Sequence, residues 1–200
     1  YLLTTHHLIA QAKSIEVRFR GVYHLAHLIS ADPVNDIGML KIEANTPALP
    51  VMAGRKLHLG LPVFTLGLPA QANANAGPKY SHGRVVSLSG FHNDPRHIQV
   101  NLNAQPSYSG AALVDASGQA VGMVTFRLAD LKTYRATGTL PRAANYVLKA
   151  DRIRDFLHTV PIIQSRLPRP NQPLPINVAG AAVEAAPVQI LVQWSARISQ

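Results

Sequence analysis

The chain has 200 residues, of which 47% are hydrophobic, and this is enough apolar material for one compact unit or two small ones. It contains no cysteine, so neither disulfide bonds nor thiolate metal ligands contribute to the fold. The formal net charge of +9 is scattered along the sequence without interleaved aromatic residues, which is typical of a solvated basic surface and not of a nucleic-acid interface. No uncharged apolar run reaches the roughly 18 residues of a membrane-spanning helix.

Short β-prone runs separated by Gly and Pro clusters predict a mainly β protein. The predicted strands are Leu2–Thr5, Ser14–Phe19, His24–Ser30, Gly38–Ile42, Pro62–Leu66, Ser81–Leu88, His97–Asn101, Ala111–Asp115, Ala120–Phe126 and Asn145–Leu148. Many short strands with turn signals between them are typical of a sandwich or a barrel. Because residues 1–4 resemble the middle of a β-hairpin and no initiator Met precedes them, we expect the chain to be a fragment.

One helix is predicted near the end of the β-rich region. Asp151 is a suitable N-cap, and apolar residues follow at helical spacing until Pro161, where we expect the helix to end. Residues 161–175 are rich in Pro and predict a linker. The β-prone piece 188–192 leaves open the start of a further domain. We therefore predict two units, 1–55 and 56–160, followed by a linker and unassigned tail, 161–200.

Three motifs along the chain carry a histidine, an aspartate and a serine in that order. They are Thr4-Thr5-His6-His7-Leu8-Ile9, Asp32-Pro33-Val34-Asn35-Asp36-Ile37 and Gln105-Pro106-Ser107-Tyr108-Ser109-Gly110-Ala111-Ala112-Leu113. A serine hydroxyl is a weak nucleophile that needs an adjacent base, and a histidine base needs a group that holds its tautomer. The combination therefore points to nucleophilic catalysis.

These motifs resemble those of trypsin-like serine proteases, and specifically of the bacterial Deg/HtrA branch. That branch typically shows T-N-x-H-V, D-P-x-x-D-L-A-V-L-K and N-P-G-N-S-G-G-P-L in the same order. The resemblance covers roughly residues 1–157. It implies an all-β fold of two Greek-key barrels with the active site in the cleft between them, the first barrel truncated at its N-terminus, and a C-terminal helix.

The resemblance also implies a role for each member of a catalytic triad. Ser109 is the expected nucleophile, and His7 is the expected base because it directly precedes two apolar residues. Asp36 is expected to orient His7 and to stabilise its charged form. His6 would point to the opposite face if the segment is extended, and Asp32 is predicted to be a turn former before proline.

The chain departs from the family at the oxyanion hole. The resemblance places the two donors on the backbone N–H groups of Ser109 and Ser107, and the family has glycine at the position of Ser107. A non-glycine residue with positive φ there is strained by about 1–2 kcal/mol. If the peptide flips instead, one donor is lost, which costs roughly 10²–10³ in turnover. The sequence leaves both outcomes open.

Specificity is predicted only coarsely. Alignment on Ser109 places Asn103 at the base of the pocket for the substrate side chain, and its lack of charge argues against a preference for Lys or Arg. Thr125-Phe126-Arg127 falls on the strand that would pair with the substrate backbone. Arg127 either narrows the pocket, contacts an acidic substrate side chain or faces solvent.

The sequence thus predicts an endopeptidase that acts on protein or peptide substrates and needs no metal or organic cofactor. A catalytically impaired relative that serves as a binding or regulatory scaffold, including one for a metal, is the main alternative, and an unrelated all-β interaction domain is a weaker one. No nucleic-acid partner is predicted. The resemblance implies a periplasmic or other extracytoplasmic location, and leaves open a homo-oligomer and a further domain after residue 200.

Overall fold

The computed structural model describes residues 1–49, 51, 57–67, 79–104, 106–125, 145–164 and 189–194. The strands in these ranges are β1 Leu2–Thr4, β2 Ala12–Phe19, β3 Val22–Asp32, β4 Ile37–Lys41, β5 Pro62–Gly67, β6 Lys79–Ser87, β7 His97–Val100, β8 Ala112–Asp115, β9 Ala120–Thr125, β10 Tyr146–Lys149 and β11 Gln189–Trp194. The helices are α1 His6–Ile9, α2 Ala150–His158 and α3 Pro161–Gln164, with 3₁₀ turns at Phe91–Asn93 and Pro106–Tyr108.

The first unit is an antiparallel sheet with the strand order β1-β4-β3-β2-β11. Ile15, Val17 and Phe19 alternate along β2 and are buried, because successive side chains of a strand point to opposite faces. Arg20 and Gly21 connect β2 to β3 with φ of 49° and 83°, and positive φ at both positions suits a two-residue hairpin turn.

The second unit is a closed six-stranded barrel with the order β10-β7-β6-β5-β8-β9. Every pairing in it is antiparallel, and β9 pairs with β10 to close the barrel. Its interior is filled by apolar side chains from all six strands, among them Val63, Val85, Ile98, Val100, Leu113, Val121, Val124 and Val147.

A third apolar cluster joins the two units. Ile37 and Met39 of β4 pack in one buried cluster with Met123 of β9 and Leu148 of β10. Helix α2 adds Ile153, Phe156 and Leu157 to the same cluster. This packing holds β4, β9 and β10 together, and the candidate site lies at that junction.

The predicted fold class is confirmed, since the protein is mainly β with a closed barrel and a helix after the last barrel strand. The prediction of Asp151 as N-cap is wrong. Helix α2 begins at Ala150 after Lys149, and Asp151 lies in its first turn, where a negative charge favours the helix dipole. Pro161 begins α3, because proline suits the first position of a helix. The rest of the predicted linker, residues 165–175, lies outside the described residues.

Two further segments differ from the simplest interpretation of the sequence. His6 and His7 lie in the single-turn helix α1 and not in an extended strand. The β-prone piece near residue 190 forms β11, which pairs with β2 in the first sheet and places Val192 opposite Ile15. The domain boundaries near residues 55 and 160 stay predictions. Among the described helices, none is both long and apolar enough to cross a membrane.

Gly122 of β9 is expected to tolerate no side chain, because a Cβ atom there would meet the backbone oxygen of Leu148 and, at 2.5 Å, Cγ1 of Val147. Gly122→Ala should lower the free energy of unfolding by about 1–3 kcal/mol, as overpacking of a well-packed interior usually does. Gly38→Ala is the matched control, since the atom it meets first is the flexible end of the Ile9 side chain. Urea unfolding of both variants checks the prediction, and an equal loss in both would contradict it.

Candidate active site

His7 and Asp36 form the central contact of the site. Nδ1 of His7 lies 2.7 Å from Oδ2 of Asp36, and the backbone N–H of His7 donates to Oδ1 over 2.7 Å. The backbone N–H of His6 donates to the carbonyl oxygen of Asp36 over 3.1 Å. The start of α1 is therefore bound to Asp36 through both backbone and side chain, which fixes the orientation of the imidazole ring.

The loop between β3 and β4 presents Asp36 to His7. Oδ1 of Asp32 accepts the N–H groups of Val34 and Asn35 at 3.0 Å and 3.1 Å, so Asp32 forms the turn that the sequence predicts. Asp36 has a φ of 56°, a left-handed conformation that costs a non-glycine residue about 1 kcal/mol. Only a loop held by several contacts keeps a residue in such a conformation.

Thr125 contributes the third hydrogen bond to the Asp36 carboxylate. It is buried at the end of β9, and its hydroxyl donates to Oδ2 of Asp36 over 3.1 Å. The sequence predicts Thr125 on the substrate-binding strand and shows no sign of this contact, because the two residues are 89 positions apart in the chain. The contact exists only once the barrel lies against the first sheet.

The surroundings of Asp36 keep its carboxyl ionised. Burial opposes ionisation, but the hydrogen bonds and the charge of His7, together with the Thr125 hydroxyl, outweigh it and lower the pKa of Asp36. Because this folded-state pKa lies below that of an unfolded aspartate, about 3.9, the interaction contributes stability above about pH 4 that is lost as the pH falls through the folded pKa.

The difference in unfolding free energy between the wild type and Asp36→Asn should therefore shrink on acidification below about pH 4, where the wild-type carboxyl also becomes neutral. Urea unfolding of both proteins at a series of pH values measures the difference. A difference that stays constant down to about pH 2 would show that the charge of Asp36 does not contribute to stability.

Ser109 lies on a loop that packs against the segment preceding His7. The next residue, Gly110, has a φ of 88°, and a Cβ atom there would lie 3.0 Å from Oγ1 of Thr4 and 3.4 Å from the backbone N of Thr5. The N–H of Gly110 also donates to the carbonyl oxygen of Val124 over 2.9 Å, next to Thr125. These contacts bring the serine loop to the same junction as His7 and Asp36.

Six buried side-chain polar atoms have no hydrogen-bond partner within the described part of the chain, and Nε2 of His7, the ring nitrogen not bound to Asp36, and Oγ of Ser109 are among them. The others are Oγ1 of Thr4 and Thr5, Oδ1 of Asn35 and Oγ of Ser107. Because Nε2 of His7 and Oγ of Ser109 both lack a partner, they are not hydrogen-bonded to each other. Leaving a buried polar group unpaired costs about 1–3 kcal/mol. Such groups are rare in native structures, and chemical function is one of the reasons for which they persist.

Ser107 lies in the 3₁₀ turn Pro106–Tyr108. Among the described residues, the non-glycine positions with positive φ are Arg20, Asp36, His92 and Asn93, so Ser107 does not have the strained conformation. In the family that the sequence resembles, a glycine with positive φ directs this N–H into the oxyanion hole, and Ser107 does not supply that φ.

The remaining predicted site residues are Asn103, Phe126 and Arg127. Asn103 is exposed, and its carbonyl oxygen accepts the Ser81 hydroxyl at 3.3 Å. Phe126 and Arg127 lie outside the described residues. In the part of the chain that the structure describes, no three His, Asp or Glu side chains are grouped so that they could hold a metal ion.

Comparison with known proteins gives this arrangement a context. The sequence model of the trypsin-like peptidase domain matches residues 1–123. The uncharacterized protein y4bJ of Sinorhizobium fredii is 34% identical over 158 residues, which are 78% of this chain and 25% of that protein. The mitochondrial serine protease HTRA2 of Bos taurus is 25% identical over 163 residues, which are 78% of this chain and 33% of that protein.

Solved structures agree with the sequence relatives. The serine endoprotease from Yersinia pestis is 26% identical with a TM-score of 0.63, over 82% of this chain and 54% of that one. The HtrA-type protease AlgW, solved with a decapeptide, shares the fold with a TM-score of 0.64 and 23% identity, over 79% of this chain and 47% of that one. The chain spans only a quarter to a third of the length of the first two curated relatives.

The fold and its relatives define a trypsin-like peptidase domain. The chain belongs to the trypsin-like peptidase domain family, and the predicted resemblance to its HtrA branch is confirmed.

Proposed function

We propose that the protein is a serine endopeptidase that cleaves protein or peptide substrates through an acyl-enzyme intermediate. Ser109 Oγ attacks the scissile carbonyl carbon while Nε2 of His7 takes the hydroxyl proton. His7 then returns that proton to the departing amine as the peptide C–N bond breaks. Water, deprotonated by the same nitrogen, attacks the acyl-enzyme and releases the acid product and free Ser109. Asp36 stabilises the imidazolium form of His7 during both steps.

The observation that carries this proposal is the hydrogen bonding of the two ring nitrogens of His7. Its Nδ1 is bound to Asp36 at 2.7 Å, whereas its Nε2 is buried without a partner in the described structure. An imidazole held in this way has one nitrogen committed to orientation and the other free to exchange a proton. Ser109 Oγ, also buried without a partner, supplies the hydroxyl that such a base needs.

The conformation of Ser107 favours a second candidate function, a catalytically impaired member of the family that binds polypeptides without cleaving them. Ser107 lies in a 3₁₀ turn and lacks the positive φ by which a glycine would direct this N–H into an oxyanion hole. The two candidates share the fold and the His7–Asp36 pair, and they differ only in whether the Ser109 loop stabilises an oxyanion. The test must therefore report on Ser109 chemistry directly.

The substrate is proposed to be an extended polypeptide. The HtrA-type protease AlgW was solved with a decapeptide. We propose the cleft between the two units as the place where a polypeptide binds here. We propose that Asn103 lies at the base of the pocket for the substrate side chain, where an uncharged residue favours an uncharged partner. Phe126 and Arg127 complete the proposed substrate-binding set together with the backbone of Thr125.

Labelling with a fluorophosphonate probe tests the proposal. The purified protein should form one covalent adduct, which peptide mass mapping should assign to Ser109, because only an activated serine attacks such a probe rapidly. A folded protein without an adduct would support the impaired candidate. An adduct at another residue would refute the proposed triad.

A further inference from the structure

The most strongly connected charged cluster outside the triad lies just before β7 and reaches across to the first sheet. Arg96 donates from NH1 to the carbonyl oxygen of Val34 over 2.7 Å, although the two residues are 62 positions apart. Val34 belongs to the loop between β3 and β4 that ends in Asp36. A guanidinium carried by the barrel therefore contacts the loop that carries the proposed triad aspartate.

The guanidinium is fixed by Asp94. Its Nε and NH2 donate to the two carboxylate oxygens of Asp94 over 3.0 Å and 2.8 Å, a paired geometry available to arginine but not to lysine. Asp94 also accepts the backbone N–H of Arg96, and the Arg96 carbonyl oxygen accepts the N–H of Lys149 over 3.0 Å. The hydrogen bonds from Arg96 hold the pKa of Asp94 well below its usual range despite partial burial.

Arg96 adds a polar anchor to a loop whose other end, at Ile37, is already held by packing against the barrel. The side chain of Val34 is 77% exposed and cannot hold the loop by packing. Asp32 orders the turn internally through its bonds to Val34 and Asn35, but these contacts do not connect the turn to the barrel. The left-handed conformation of Asp36 must be maintained while Thr125, on the barrel, bonds to its carboxylate.

We propose that Arg96 is a positioning residue, which holds the Val34–Asp36 loop against the barrel so that the Asp36 carboxylate meets His7 and Thr125 at bonding distance. Arg96 acts through Asp36 and does not touch the substrate. The proposal rests on the proposed role of Asp36 in catalysis, and it adds a residue that none of the three sequence motifs contains.

The test compares Arg96→Ala and Arg96→Lys with the matched control Arg84→Ala. Arg84 also donates from NH1 to a backbone carbonyl oxygen, that of Gly60 at 2.8 Å, but within the barrel and away from the Asp36 loop. Saturation kinetics of fluorophosphonate labelling separate binding of the probe from the first-order reaction of Ser109. The downfield proton resonance of His7 Nδ1–H reports the His7–Asp36 hydrogen bond without requiring any activity.

We expect Arg96→Ala to slow the first-order reaction of Ser109 by about 10–100-fold, because a small displacement of a catalytic group lowers the rate strongly. Binding of the probe should stay unchanged. The His7 resonance should broaden or disappear. Arg96→Lys should give a smaller loss, since one ammonium can reach the Val34 carbonyl but cannot pair both oxygens of Asp94. Arg84→Ala should match the wild type in both measurements.

Folded Arg96→Ala with a wild-type rate and a wild-type resonance would overturn the inference. If Arg96→Ala does not fold, Arg96→Lys and Arg96→Gln decide it by the same two measurements. If the wild type is not labelled at all, the proposed function fails, and the His7 resonance alone then decides whether Arg96 positions Asp36.

Discussion

Ser109→Ala is expected to abolish fluorophosphonate labelling and to lower the turnover of a protein substrate by about 10⁶-fold. Removing the hydroxyl removes the only group that forms the acyl-enzyme, and His7 then has no proton to accept. Hydrolysis of an unstructured fluorescent protein substrate measures the loss.

Ser87→Ala is the matched control for this substitution. Its hydroxyl bonds locally to the carbonyl oxygen of Ser89 at 2.9 Å, at the end of β6 and apart from the triad. Labelling and turnover should both stay at the wild-type level. Full labelling of Ser109→Ala, with the adduct mapped to another serine, would show that the nucleophile has been assigned wrongly.

Ser107→Gly is expected to raise turnover by about 10²–10³-fold, the value of one oxyanion donor. Ser107 lies in a 3₁₀ turn without positive φ, whereas the family places glycine at this position. Glycine adopts positive φ without steric cost, so the N–H at this position can turn toward the oxyanion. Glycine has more conformational freedom than serine in the unfolded chain. The substitution should therefore lower the free energy of unfolding by only about 0.5–1 kcal/mol.

Ser107→Ala distinguishes the backbone from the side chain in this prediction. Alanine lacks the buried, unpartnered hydroxyl of Ser107 but keeps a Cβ atom and the same backbone restriction. We expect no gain in turnover from alanine. An equal gain in both variants would assign the effect to the hydroxyl, and no gain in either would mean that the loop becomes competent by another route, such as on substrate binding. Single-turnover acylation rates of the three proteins give the comparison.

The strands were predicted well because their signal is local. Alternation of buried and exposed residues, as in Ile15, Val17 and Phe19 of β2, needs only the two-residue period of a strand and the turn residues beside it. The helix after the barrel was predicted for the same reason. The exact start of this helix was not predicted. Strand β10 ends at Lys149 and α2 begins at Ala150, and a local pattern does not show the strand pairing that sets this boundary.

The residue types of the candidate triad also came from the sequence, since each stands in a motif of its own. The contacts of Thr125 and Arg96 with the Asp36 loop could not be predicted from the sequence. They join residues that are 89 and 62 positions apart in the chain, respectively. Their positions depend on how the barrel packs on the first sheet through Ile37, Met39 and α2. No local pattern encodes the relative placement of two units.

The sequence by itself therefore determined the β class, most strand positions and the family motifs around His7, Asp36 and Ser109, all of which depend on neighbouring residues. Only the tertiary structure decided that His7 lies in a helical turn, that β11 pairs with β2 and that Ser107 lacks positive φ. The physical reason is that a single φ angle or an edge pairing is selected by small energy differences between local conformers. Contacts with residues distant in the chain are large enough to reverse those differences.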